Sequence, residues 1–165
     1  MAGKASGGGP ESARIPAHIL IIEGRFHEDL ADMMADGAVQ EIEARGGTWE
    51  RIGVPGALEI PQVMRLAAAR GGYDGMVAIG CVIRGETYHF EVVCDHSNHF
   101  LMRAAEDTGL PVGNAILTVD TRQQALERAQ GGRAGKGGDA ARACLRLIEI
   151  ARAMGVPRGT GGAVA

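Results

Sequence analysis

Between positions 79 and 96 the chain reads IGCVIRGETYHFEVVCDH. An apolar run ends in Arg84-Gly85-Glu86-Thr87, and a helical pattern carrying His89 follows at once. A glycine lets the backbone approach a ligand closely, and the free N–H groups at a helix start favour an anion. Thr87 adds a hydroxyl to that seat, and a histidine beside it can carry protons both ways near neutral pH. The same residues also suit ordinary helix capping, with Thr87 as the cap and His89 as a surface histidine. On this stretch alone both readings stand.

Four further features raise the same pair of alternatives. Glu59 follows Pro55-Gly56 at another helix start, where a carboxylate either offsets the helix dipole or accepts hydrogen bonds from a polyhydroxyl chain. Phe26 follows an apolar run at a turn, as a stacking platform for a planar heterocycle or as a core filler under a loop. Arg128 and Lys136 bracket the first part, GGRAG, of a glycine-rich stretch, GGRAGKGG. They are either phosphate ligands, Arg by a bidentate fork and Lys as a point charge, or solvated helix-end cations. His96 and His99 follow Cys94 at a spacing that imitates a metal motif, but no third and fourth ligands are set up beside them, so no metal is expected.

The elements that must position these residues are legible as periodicities. HILIIEG (18–24) is a buried strand, 28–45 a helix stopped by Gly46-Gly47, and TWERIGV (48–54) a weaker strand. Residues 58–70 form a helix with Pro61 in its first turn, 73–83 a strand apolar on both faces, and 87–107 a long helix closed by Gly109 and Pro111. A strand at 112–119, a short helix at 121–129, the glycine loop and a last helix at 139–154 complete the order. Alternating strands and helices predict parallel βαβ units in a three-layer α/β/α sandwich around a four-stranded parallel sheet. Ligands bind at the carboxyl ends of such strands, which places residues 24–27, 54–57, 81–89 and 117–121 along one edge.

The totals fit a single enzyme-sized domain. The chain has 165 residues, 45% of them apolar, with a formal charge of −3 from 17 basic and 20 acidic residues. That balance gives no reason to expect nucleic acid as a partner. No apolar run approaches the roughly 20 residues that cross a bilayer, so no membrane partner is expected either. The N-terminal stretch MAGKASGGGPES lacks a secretory apolar segment, and the three cysteines (Cys81, Cys94 and Cys144) fall in apolar segments as an odd set of buried thiols. Both point to the cytoplasm. The ordered domain is expected at 14–155, with flexible tails at 1–13 and 156–165.

Taken in order, RFHEDL, VPGALEIP, YDGMVAIGCVIRGETYHFEVV, PVGNAILTVDT and QALERA…GKGGDAA resemble the lumazine synthase family of riboflavin biosynthesis. The resemblance covers nearly all of 14–155 and implies a flavodoxin-like fold. It also implies condensation of 5-amino-6-(D-ribitylamino)uracil with 3,4-dihydroxy-2-butanone 4-phosphate, with no cofactor. Carried over by position, Phe26 stacks on the pyrimidine, Ala57 and Glu59 hold the ribityl chain, and Cys81, Val82 and Ile83 meet the heterocycle through their backbone. Gly85, Glu86 and Thr87 seat the phosphate, and His89 shuttles protons. Arg128 reaches the phosphate from a neighbouring subunit, and Lys136 lies near the site. Two positions depart from the family pattern. His27 stands where Asn is frequent, and Asn114 stands where many members place a phenylalanine across the subunit boundary. The resemblance further implies a homo-oligomer of five subunits, alone or paired as a decamer, with a sixty-subunit icosahedral shell as the alternative and riboflavin synthase as a further partner. Ile15-Pro16 is read as a segment able to pair with the neighbour's sheet edge.

Other uses of the fold fit less well. A flavodoxin-like electron carrier needs a Ser/Thr-rich phosphate loop after the first strand, where this chain has EGRFHEDL. A receiver domain needs an aspartate at the end of the third strand, where Gly80-Cys81 stands. Two further alternatives are a shell protein without catalysis and the archaeal-type riboflavin synthase.

Overall fold

In the computed structural model, which describes residues 13–157, strands and helices alternate along the chain. The elements are β1 (His18–Gly24), α1 (Glu28–Ala44), β2 (Thr48–Val54), α2 (Ile60–Arg70), β3 (Gly75–Ile83), α3 (His89–Thr108), β4 (Val112–Val119), α4 (Arg122–Ala129) and α5 (Lys136–Ala153). All strand pairs are parallel, in the order β2-β1-β3-β4. The tails read at 1–13 and 156–165 lie outside the described residues, apart from Ala13, Val156 and Pro157.

The two central strands explain the layers. On β1, Ile19 and Ile21 enter the apolar cluster shared with α1, α4 and α5, whereas Leu20 and Ile22 enter the cluster shared with α2 and α3. On β3, Val77, Ile79 and Cys81 face the first layer, and Met76 and Ala78 the second. A strand covered on both faces reads as an unbroken apolar run, as HILII and MVAIGC do. Each fully buried Ile or Leu of these runs contributes roughly 1.5–3 kcal/mol. The edge strands carry the exposed positions: most of β2, and Asn114 and Thr118 on β4. On α1 the buried stripe is Leu30, Met34, Ala38 and Ile42, while Met33 and Ala44, which shared the sequence periodicity, are exposed.

Several expectations shift in detail. α5 begins at Lys136, three residues before the helix read at 139, because Gly137 and Gly138 are helical. A Cβ built on Gly137 would sit 1.8 Å from Met34 O, and one on Gly113 1.9 Å from Ala140 O, so these glycines permit backbone-to-backbone contact of α5 with α1 and β4. α3 starts at His89, not 87, and ends at Gly109, whose left-handed backbone (φ 69°) closes the helix through its N–H to Ala105 O at 2.9 Å. Of the three cysteines only Cys81 and Cys144 are buried; Cys94 is partly exposed. Ile15 is buried in the chain's own core, and its N–H donates to Arg45 O at 2.8 Å, so this residue is anchored within its own chain. No helix among the described residues is long and apolar enough to cross a membrane.

Candidate active site

Three of the four βα turns, those after β1, β2 and β3, end at a common opening. β1 hands over to α1 through Arg25-Phe26-His27. β2 reaches α2 through Pro55-Gly56 and a 3₁₀ turn at Ala57–Glu59, and β3 reaches α3 through Arg84 to Tyr88. Between them lies a cavity of about 390 Å³ lined by residues of these three turns and the start of α3. That is within the usual size for a small-molecule site.

Nine residues singled out in the sequence meet there: Phe26, Ala57, Glu59, Cys81, Val82, Ile83, Gly85, Thr87 and His89. The fourth expected strand end, 117–121, does not line the cavity. Glu86, between two lining residues, is exposed and also stays outside. Asn114, Arg128 and Lys136 are held elsewhere. Asn114 Nδ2 donates to Asn98 Oδ1 at 2.7 Å, and its Oδ1 accepts from Ile116 N at 2.9 Å. Among the described residues Arg128 bonds only to Gln124 O of its own helix (3.0 Å), and Lys136 lies 3.4 Å from Asp139. The cations that bracket the glycine stretch therefore leave their own chain's cavity free.

The local chemistry of each lining group follows from its turn. Phe26 is 79% exposed, which rules out a core role, and its nearest ring is His27, edge-on at 5.0 Å. Glu59 uses one oxygen to accept from Gly56 N–H at 2.9 Å, so it caps the turn. Its other oxygen has no bond within the described chain. Thr87 precedes the helix by two residues, and its hydroxyl accepts from His89 N at 3.4 Å. The residues expected to seat an anion thus lie in the turn that leads into α3, not in the first turn of the helix. Cys81 closes the inner wall; burial pushes its thiol up to about 11, which keeps it a neutral apolar surface.

Arg84, the first residue of the motif, is not in the cavity. Its guanidinium is tied to Asp120 Oδ1 (2.7 Å) and Glu91 Oε1 (2.6 Å), lies 4.2 Å over the Phe90 ring, and so braces the Gly85–Thr87 turn. Its partnership holds the Glu91 carboxyl below the usual range. Of the other lining residues, His27, Pro55 and Gly56 fall in the strand-end segments placed along this edge from the sequence, whereas sequence reasoning missed Leu58, Phe90 and Val93. Val93 was findable, since it follows His89 by four residues and so shares its helix face; Phe90, one position on, faces another way and carried no such signal. Burial, then Arg122, lowers the His27 pKa, so its ring is neutral at pH 7. His96 and His99 do not pair on a metal motif but flank Phe100, one stacked at 5.8 Å and one edge-on at 5.0 Å. Among the described residues no group of three or more His, Cys, Asp or Glu could hold a metal ion.

Comparison with known proteins gives the same picture over nearly the whole chain. A family model described as 6,7-dimethyl-8-ribityllumazine synthase matches residues 16–152. A protein of Rhizobium meliloti (strain 1021) named 6,7-dimethyl-8-ribityllumazine synthase 1 is 49% identical over 148 residues, 87% of this chain and 97% of its own length. Relatives named 6,7-dimethyl-8-ribityllumazine synthase from Sphingopyxis alaskensis and Agrobacterium fabrum are each 48% identical. They cover 85% and 84% of this chain, and 99% and 97% of their own.

Proposed function

The chain belongs to the 6,7-dimethyl-8-ribityllumazine synthase family, and we propose that the strand-end cavity is where it joins 5-amino-6-(D-ribitylamino)uracil to 3,4-dihydroxy-2-butanone 4-phosphate. The observation that carries this assignment is the convergence of an exposed aromatic ring, a half-free carboxylate, a glycine-threonine turn and a histidine on one cavity. Phe26 stacks on the pyrimidine. The free oxygen of Glu59 accepts from ribityl hydroxyls beside Ala57, and the backbone of Cys81 to Ile83 meets the heterocycle edge. Backbone N–H groups of Gly85 and Glu86, with the Thr87 hydroxyl, hold the phosphate.

The chemistry needs little more than position and proton transfer. The substrate's own amine attacks the ketone, water leaves to give an imine, phosphate is eliminated to an enol that becomes a carbonyl, and the second nitrogen attacks that carbonyl and closes the ring with loss of a second water. Both reactants are reactive already, so holding them in register supplies much of the acceleration. His89, next to the anion seat, takes the proton released during imine formation and gives one to the leaving group. Neither a nucleophile nor a metal is required by these steps.

Arg128 and Lys136 bond within their own helices and not at their own cavity. We assign them to a neighbouring copy's site, Arg128 on the phosphate and Lys136 beside it, and Asn114 to the boundary between copies. This implies an oligomer, for which we propose a pentamer or a pair of pentamers in the cytoplasm, with the product passing to riboflavin synthase. Light scattering reads the assembly: a mass near one chain excludes a shared site, and a mass near sixty chains indicates the closed shell. Activity is read by mixing the two substrates and following lumazine absorbance. His89→Ala should lower turnover while leaving pyrimidine binding in place, because proton transfer belongs to the transition state. Unchanged turnover at saturating substrate would remove His89 from the mechanism.

A further inference from the structure

Near the far end of α1 from the cavity, Glu41 is completely buried and surrounded by three arginines. Its Oε2 accepts from Arg133 Nε and from Arg142 Nη1, both at 2.8 Å. Its Oε1 makes no hydrogen bond among the described residues and lies 3.5 Å from Arg45 Nη1. Each arginine belongs to a different segment. Arg45 follows α1 and donates through Nε to Ala13 O at 2.5 Å; Arg133 lies in the 3₁₀ turn Gly132–Ala134 of the α4–α5 connection; Arg142 is on α5. Arg142 also donates through Nη2 to Arg133 O and to Asp139 Oδ1, each at 3.0 Å, and Asp139 Oδ2 is 3.4 Å from Lys136 Nζ.

A buried carboxylate is costly without partners, and removing it leaves its arginines uncompensated. The surrounding glycines show what it holds shut. A Cβ on Gly37 of α1 would meet Gly132 O at 2.4 Å, and one on Gly138 would meet Arg133 O at 2.1 Å, so the α4–α5 connection lies directly on two backbones. That connection begins just after Arg128 and ends at Lys136.

We propose that Glu41 is a positioning residue: through Arg133 and Arg142 it fixes the α4–α5 connection so that Arg128 and Lys136 reach the phosphate subsite of the neighbouring copy. The proposal rests on the assignment of those two cations to that subsite. A carboxylate suits the place better than an amide, because Gln keeps one acceptor and turns its N–H₂ group towards an arginine. Glu41 lies about 20 Å along α1 from the helix start beside Phe26, at 1.5 Å per residue. The pyrimidine end of the site should therefore not notice it.

The test compares Glu41→Gln, Arg142→Leu and Arg128→Ala in the assembled protein, measuring KM for each substrate, turnover and the melting temperature. The expected result is a rise in KM for the butanone phosphate of about ten- to a hundredfold, the loss that goes with removing a hydrogen bond to a charged group, with the pyrimidine KM within about twofold. Arg128→Ala should reproduce that split. If Glu41→Gln and Arg142→Leu lower the melting temperature but leave both KM values unchanged, or raise them together, Glu41 is merely structural and the proposal falls while the subsite assignment stands. An unchanged butanone phosphate KM in Arg128→Ala overturns the subsite assignment and the proposal with it. If Glu41→Gln does not fold, Arg142→Leu, which keeps the carboxylate and its other two arginines, decides the matter alone.

Discussion

Replacing Phe26 with alanine asks whether its ring serves the ligand or the fold. A buried phenylalanine costs about 3–5 kcal/mol when truncated to alanine. That figure does not apply here, because the ring is 79% exposed and its nearest aromatic contact is the edge of His27 at 5.0 Å. Surface substitutions of this kind stay within about 0.5 kcal/mol. For a chain of this length that is a melting shift of about 1–2 °C. The loss on the ligand side is larger. Stacking of a heterocyclic base on an aromatic side chain is worth about 1–3 kcal/mol by alanine substitution, which is about 5- to 150-fold in Kd. The pyrimidine substrate, titrated calorimetrically into Phe26→Ala in the absence of the butanone phosphate, should bind weaker by that factor, with an unaltered thermal melt. A fall in melting temperature of more than about 5 °C with unchanged affinity would mean that the ring belongs to the fold and that the stacking argument is wrong.

Two other perturbations test the frame. Gly137→Ala gains at most about 1 kcal/mol of helix propensity, but its Cβ falls 1.8 Å from Met34 O. Overpacking of this kind costs typically about 1–3 kcal/mol and at times more. Denaturant titration should therefore show net destabilisation, and a variant as stable as the parent would contradict the close approach of α1 and α5. Burial raises the folded pKa of Cys81 to about 11, so its thiol stays protonated where the unfolded chain's would ionise. Its contribution to stability is complete below the ordinary thiol pKa and is lost as pH rises from about 9 to about 11. Unfolding midpoints across that window should fall less in Cys81→Ala than in the parent, and equal slopes would refute the shift.

The central strands were readable because burial on both faces leaves continuous apolar runs, and HILII and MVAIGC have no other simple use. The cavity was readable because the residues lining it come from three turns placed by that topology. What escaped has a common cause: it depends on contacts between segments distant in sequence. Nothing near Gly137 in the sequence reveals that Met34 lies against it, so the start of α5 looked like loop. Glu41 reads as one more polar residue on a helix, because its arginines lie 4, 92 and 101 positions away. Arg84 looked like part of the anion seat, yet Asp120 and Glu91 had already claimed it. Val93 was passed over although helical spacing alone brings it beside His89.

The glycine contacts of α1, α5 and β4 also have a mechanical meaning. Packed elements slide when interposed side chains change rotamer. Where Gly113 lies on Ala140, Gly37 on Gly132 and Gly137 on Met34, main chain rests on main chain and there is no side chain to move. That layer should behave as one stiff plate. The other layer is built differently: α3 is 20 residues long but buries only Ser97, Leu101 and Ala104, and Arg84 to His89 before and at its start are all exposed. Compliance is therefore concentrated on the lip of the cavity, from Gly85 to His89, while the plate behind it keeps the strand ends still. Within one chain, amide exchange should be fast from Gly85 to His89 and slow along the facing lengths of α1 and α5.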